Sequence, residues 1–262
     1  MADSHPLERL RDEATSDPEA FWRRVADEFV PWLHPPDRIF EPDPPTFRWF
    51  GGGLTNMGYS ALDHQVEIGR GPHVALVAAD ERGGRRSLTY DGLLAEVRGI
   101  SAALRGLGIG RGDRVTIYMP TSVEAIATML AVVRVGAIHV VVFAGFGAGA
   151  LGDRIRASGS RLVVASDLTY RKGKDVALEG IVDDALATEP GAVEHVVVFR
   201  RGPASSTAGP AGDGPPKLDW ADFLAGGAGQ PDGYEAMEAN EPAYILATSG
   251  TTARPKLAVH RH

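Results

Sequence analysis

Three stretches of this sequence gather the residue types that hold anions. Thr248-Ser-Gly-Thr-Thr-Ala-Arg-Pro-Lys256 packs four hydroxyls, one glycine and two cations into nine residues, directly after the apolar run Ala243–Ala247. A strand, a loop of Thr, Ser and Gly, and then a lysine suits a polyphosphate. Backbone N–H groups and hydroxyls surround the oxygens, and the lysine adds charge. It is not a Walker A loop, because Pro255 precedes Lys256 and Leu257 follows it, where glycine and Ser or Thr are needed. A polar hairpin or surface turn is the plainer alternative.

The second stretch is Gly147-Ala-Gly149-Ala-Leu-Gly152, a GxGxxG pattern that follows an apolar run and opens a helical one, with Asp167 at the end of the next strand. That context fits a dinucleotide site and makes an NAD(P)-dependent oxidoreductase the main rival reading. Glycines that merely let a turn pack tightly are the plainer explanation, since a chain rich in glycine and alanine produces such matches by chance. The third is Arg171-Lys172-Gly173-Lys174, a cationic loop that can hold a phosphate by charge-assisted hydrogen bonds or stand as a solvated basic turn.

The formal net charge of −7 argues against nucleic acid as the main partner, so any bound anion needs a local cluster of donors. With no cysteine, disulfides and thiolate metal sites are excluded. The N-terminus has no basic region followed by an apolar one, and Met129–Gly152 is broken by Arg134, His139 and several glycines. A cytoplasmic protein without a membrane span is expected.

Ser16-Asp-Pro-Glu19 reads as a helix start, with Phe21, Val25, Phe29 and Leu33 forming one apolar face. Pro35 to Pro45 reads as an extended crossing. Beyond residue 73 apolar strands are expected at 73–79, 114–119, 137–143, 161–166 and 194–199. Helices are expected at 91–107, 122–135, 148–158 and 176–188, with a hairpin turning at Gly83-Gly84. The alternation predicts an α/β fold, a largely parallel sheet with helices on both faces. Arg200–Lys217 reads as a linker or surface loop.

Taken together the chain resembles the acetyl-CoA synthetase (acetate/propionate-CoA ligase) branch of the adenylate-forming acyl-CoA synthetases. SDPEAFWRRVADEFVPW, FRWFGGGLTNMGYSALD, RGDRVTIYMPTSVEAIATMLAVVRVGAIHVVVFAGF and YILATSGTTARPK follow in that family's order and spacing. The resemblance divides the chain into an N-terminal segment, 1–66, and part of an AMP-binding α/β domain, 67–262. It implies a two-step ligation: a small carboxylic acid reacts with ATP to give an acyl-adenylate and pyrophosphate, and coenzyme A displaces AMP. Mg²⁺ accompanies the ATP in that family. Thr248, Ser249, Gly250, Thr251, Thr252 and Lys256 correspond to its phosphate loop, expected to be mobile without nucleotide. Arg171, Lys172, Gly173 and Lys174 correspond to a basic loop meeting the phosphates of coenzyme A. Phe143, Ala144 and Gly145 correspond to a motif lining the approach of that cofactor.

Four residues depart from the family pattern. Ala253 and Leu257 stand where glycines are usual in the phosphate loop, Ala144 replaces the first glycine of FGG, and Lys172 replaces a glycine of the basic loop. Each predicts a local change, and Ala144 in particular a narrowed cofactor channel.

Family members continue for several hundred residues past the phosphate loop. Their acyl pocket, adenine contacts, metal-binding glutamate and adenylation lysine lie in that part, so no catalytic residue and no metal ligand is expected before His262. The strands flanking the phosphate loop are expected to be missing. The expectation is the N-terminal portion of a ligase for acetate, propionate or another small acid, without turnover by itself. A truncated remnant that binds nothing tightly is the non-enzymatic rival.

Overall fold

The structure is a computed structural model that describes residues 5–42, 44–187, 191–201, 214–248 and 256–262. The chain divides into two compact units. One holds residues 1–56, 236–241 and 262, and the other holds 57–235 and 242–261.

The first unit begins with α1 (Pro6–Ser16) and α2 (Pro18–Phe29). Helix α1 buries no residue and is rich in charge, so it left no apolar periodicity to read. Its presence moves the start of α2 by one residue. Asp17 caps α2, accepting from the Ala20 N–H at 3.1 Å, while the Ser16 hydroxyl donates back to the Glu13 carbonyl. The expected apolar face of α2 is only partly used, since Ala26 is its buried residue and Phe29 stays 71% exposed. Strand β1 (Arg38–Glu41), within the stretch read as an extended crossing, pairs antiparallel with β2 (Arg48–Gly51) just beyond it. β3 (Leu54–Thr55) pairs with β13 (Met237–Glu238).

In the second unit, β4 (Val74–Ala79) and β5 (Arg85–Thr89) form the expected hairpin, followed by α3 (Tyr90–Gly106). Then come β6 (Arg114–Tyr118), α4 (Val123–Arg134), β7 (Ile138–Val141), α5 (Ala148–Ser158) and β8 (Leu162–Ser166). A two-stranded ribbon, β9 (Leu168–Arg171) and β10 (Lys174–Ala177), precedes α6 (Leu178–Ala187). β11 (His195–Phe199), β12 (Lys217–Asp219), α7 (Trp220–Ala225), β14 (Pro242–Thr248) and β15 (Lys256–Arg261) complete it.

The main sheet has the order β12-β11-β8-β6-β7-β14-β15, parallel except for β15. The β6–β7 crossover runs one way and the β7–β8 crossover returns past β6, so the winding reverses at β6. Side-chain alternation along β8 shows how the faces are filled. Leu162 and Val164 join a core with α3, α4 and α7, while Val163 and Ala165 join one with α5 and α6. Helices therefore cover both faces, as the strand–helix alternation predicts. Arg134, 2% exposed, pairs with Asp63 and donates to the Asp232 carbonyl at 3.0 Å, tying three distant segments together.

Candidate functional site

In doubly wound sheets, ligands bind beyond the carboxyl ends of the strands, near the point where the winding reverses. All three anion-holding stretches fall at that edge. β7 runs into Phe143, β8 into Asp167 and the β9–β10 ribbon, and β14 into Thr248. From β8 to β14 is three strand spacings, roughly 14 Å at about 4.8 Å each.

Thr248 and Lys256 are register partners closing the antiparallel β14–β15 hairpin, and the Thr248 hydroxyl donates to the Lys256 carbonyl at 3.3 Å. Ser249, Gly250, Thr251 and Thr252, with Ala253, lie outside the described residues. The expectation that flanking strands are missing is corrected, because β14 and β15 both stand beside the loop. Leu257 is part of β15, and its side chain packs with Ile138, Val140 and Ile245. Its bulk therefore serves the core.

The basic stretch, read as a loop, is the turn of a hairpin. Arg171 and Lys174 are register partners, and Lys172 and Gly173 take φ values of 51° and 74°. Two successive left-handed residues make the tight turn favoured between twisted strands. The Arg171 guanidinium lies 5.9 Å from the centroid of the Phe143 ring, which is 64% exposed. Gly145 is needed where these two groups meet. A Cβ there would fall 2.4 Å from Phe143 Cε1 and 2.6 Å from Arg171 Nη1. The structure thus brings Phe143, Gly145 and Arg171 into one corner, with Lys172 and Lys174 exposed at the turn beside it.

Ala144 does not narrow that corner. It is buried, and it packs with Leu151, Ile155 and their neighbours in the core under α5. The support of the corner went unread in the sequence. Tyr118, fully buried, donates its hydroxyl to the Phe146 carbonyl at 2.6 Å, and the Phe146 N–H donates to the Phe143 carbonyl at 3.0 Å. Burial raises the pKa of the Tyr118 phenol, so it remains a donor. The Phe146 ring meets Phe143 edge-on at 6.0 Å and carries the Arg154 guanidinium at 4.4 Å. In sequence Tyr118 looks like one more apolar strand residue.

The GxGxxG reading is not favoured. Gly147 caps α5 with φ −80°, and a Cβ on Gly147 or Gly149 would meet nothing within 4 Å. Neither glycine is required by a close approach of the protein's own atoms. Gly152 serves packing, 3.1 Å from the Ala185 carbonyl as measured from an added Cβ. The Asp167 carboxylate accepts from the N–H groups of Leu168 at 2.7 Å and Arg201 at 2.8 Å, which ties it to its own turn and to the segment after β11. Among the described residues no group of three or more His, Asp or Glu stands ready for a metal. Nor is any described helix long and apolar enough to cross a membrane.

Residues 62–262 match the sequence profile described as AMP-binding enzyme, and residues 7–61 the one described as acetyl-coenzyme A synthetase N-terminus. The chain belongs to the AMP-binding enzyme family. Within that family, the 3-hydroxypropionyl-coenzyme A synthetase of Metallosphaera sedula is 39% identical over 245 residues, covering 93% of this chain and 36% of that protein. The acetyl-coenzyme A synthetase of Cupriavidus taiwanensis is 40% identical over 255 residues, covering 96% and 38%. The solved acetoacetyl-CoA synthetase of Streptomyces lividans superposes with a TM-score of 0.84 at 26% identity, over 100% of this chain and 39% of that one. The chain thus spans between 36% and 38% of the length of the curated relatives it matches.

Proposed function

We propose that these residues form the coenzyme A-facing and polyphosphate-facing part of an AMP-forming, short-chain acid–CoA ligase. The observation carrying this reading is the shared edge. The Thr248–Lys256 hairpin and the Phe143–Arg171 corner lie beyond carboxyl ends of one parallel sheet. In the proposed division of labour Lys256 and the hydroxyl loop hold the β- and γ-phosphates of ATP. Arg171, Lys172 and Lys174 meet the nucleotide phosphates of coenzyme A through charge-assisted hydrogen bonds. Phe143 offers its exposed face to the adenine, and Gly145 leaves room for it.

The ligation itself needs a carboxylate turned into an electrophile. Transfer of AMP to the acid supplies a good leaving group, and the thiol of coenzyme A then takes the acyl group. The named relatives differ in acid (acetate, 3-hydroxypropionate, acetoacetate), and all three are small, so a short-chain acid is proposed here. Residues 1–66 and 67–262 are proposed as the N-terminal segment and the partial AMP-binding domain of a cytoplasmic enzyme. The 262 residues are assigned binding rather than turnover, since they match little more than a third of each relative.

Calorimetric titration of the chain with ATP and with coenzyme A tests the reading. Lys256→Ala is expected to weaken ATP and spare coenzyme A, and Arg171→Ala the reverse, each by about tenfold. Loss of both ligands in either variant, or of neither in both, contradicts the division.

A further inference from the structure

A cavity of about 380 Å³ opens at the carboxyl end of the sheet, lined in part by Tyr170. Adjacent residues of a strand point to opposite faces, and Arg171 reaches Phe143 while Tyr170 contacts Arg82 and Arg201. The cavity and the Phe143–Arg171 corner are therefore on opposite faces of the β9–β10 ribbon.

Its floor is apolar, from Ala78, Val123 and Phe199, and its walls are cationic. Arg86 is shared between Glu96 and Glu124, and Arg200 between Glu179 and Asp219. Arg85 and Arg201, also in the lining, have no ion pair among the described residues. The Arg201 guanidinium rests 4.7 Å from the Tyr170 ring centroid. Two carboxylates, Glu124 and Asp80, also line the space. Asp80 is held by the N–H groups of Gly84 at 2.9 Å and Arg82 at 2.8 Å, which lower its pKa together with a smaller contribution from the Arg201 charge.

One further feature favours an anionic occupant. The first turn of α4 opens here. The Ser122 hydroxyl accepts from the Ala125 N–H at 3.2 Å, and the Val123 and Glu124 N–H groups have no acceptor within the helix. In a chain of net charge −7, four guanidiniums against two carboxylates at one cavity leave a local excess of positive charge.

We propose that this cavity binds a phosphate monoester. Arg85, Arg201 and the start of α4 hold the phosphate, and the organic part lies on Ala78, Val123 and Phe199. The site uses none of the residues assigned above to ATP or coenzyme A, so it stands whether or not that assignment holds.

Phenyl phosphate and inorganic phosphate are titrated into the 262-residue chain and into two double variants, R85Q/R201Q and R171Q/K174Q. Phenyl phosphate is expected to bind the original chain and R171Q/K174Q alike, and R85Q/R201Q at least roughly tenfold more weakly. Arg85 is exposed, so R85Q alone keeps the fold and is expected to show a smaller loss in the same direction. Binding that disappears in R171Q/K174Q and persists in R85Q/R201Q overturns the proposal, as does an original chain that binds neither probe. Inorganic phosphate binding as tightly as phenyl phosphate overturns the monoester assignment.

Discussion

The Arg171 guanidinium lies 5.9 Å from the centroid of the exposed Phe143 ring, although 27 residues stand between them in the chain. The β7 and β8 crossovers bring them together, one residue leaving β7 and the other closing the ribbon after β8. A cation beside an aromatic face is a fitting receptor for a phosphorylated purine, because one end answers charge and the other stacking.

Gly145 decides whether that pair keeps its spacing. Gly145→Ala puts a methyl within 2.6 Å of both groups, and the flexible side chains must yield. Coenzyme A affinity is expected to fall about tenfold, with the melting temperature little changed, since both displaced groups are at the surface. Calorimetry and thermal melting read the two effects separately. Unchanged affinity contradicts the placement of the cofactor.

Lys172 holds a left-handed backbone at φ 51° with a side chain that disfavours it. Lys172→Gly is expected to stabilise the protein by roughly 1 kcal/mol, a rise of about 2–4 °C in melting temperature for a domain of this size. A fall in melting temperature contradicts the strain.

Arg134 and Asp63 form a buried pair, and removing either partner leaves a charge stranded in the core. Asp63→Ala is expected to cost about 3–5 kcal/mol in denaturant unfolding. A cost below about 1 kcal/mol would show that the charge is relieved by other groups.

How much of this was legible in the sequence follows from which forces act locally. The apolar runs ending at Met119 and Ser166 announced β6 and β8 because buried parallel strands are continuously apolar. The hairpin at Gly83-Gly84 was legible from its turn residues, and Gly83 has a φ of 84°. The β9–β10 ribbon was not, because Leu-Thr-Tyr-Arg and Lys-Asp-Val-Ala are short and half-exposed, and a lysine occupies the first left-handed position of their turn. Of the candidate site, Phe143, Gly145 and Arg171 were found by resemblance. Tyr118, which fixes their turn through one hydroxyl, carries no motif and needed the fold. Ala144 and Leu257 looked like departures in a ligand site and proved to be core residues.

Burial lowers the pKa of His139 to about 4 from an ordinary 6.5, so the native state keeps it neutral where the unfolded chain takes up a proton. Its contribution is fully present above pH 6.5 and is lost progressively as pH falls to about 4. The loss is on the order of 3 kcal/mol. The measurement is the difference in unfolding free energy between the original chain and His139→Gln across that window, in which shared carboxylate titrations cancel. A difference independent of pH contradicts the buried neutral imidazole.

The shared-edge account is tested most directly by amide resonances of isotopically labelled chain during addition of coenzyme A and then ATP. Coenzyme A is expected to shift Gly145 and Arg171–Lys174, and ATP to shift Thr248 and Lys256, with both sets responding in one sample. Coenzyme A that leaves Gly145 and Gly173 unmoved, or ATP that leaves Thr248 and Lys256 unmoved, contradicts the account.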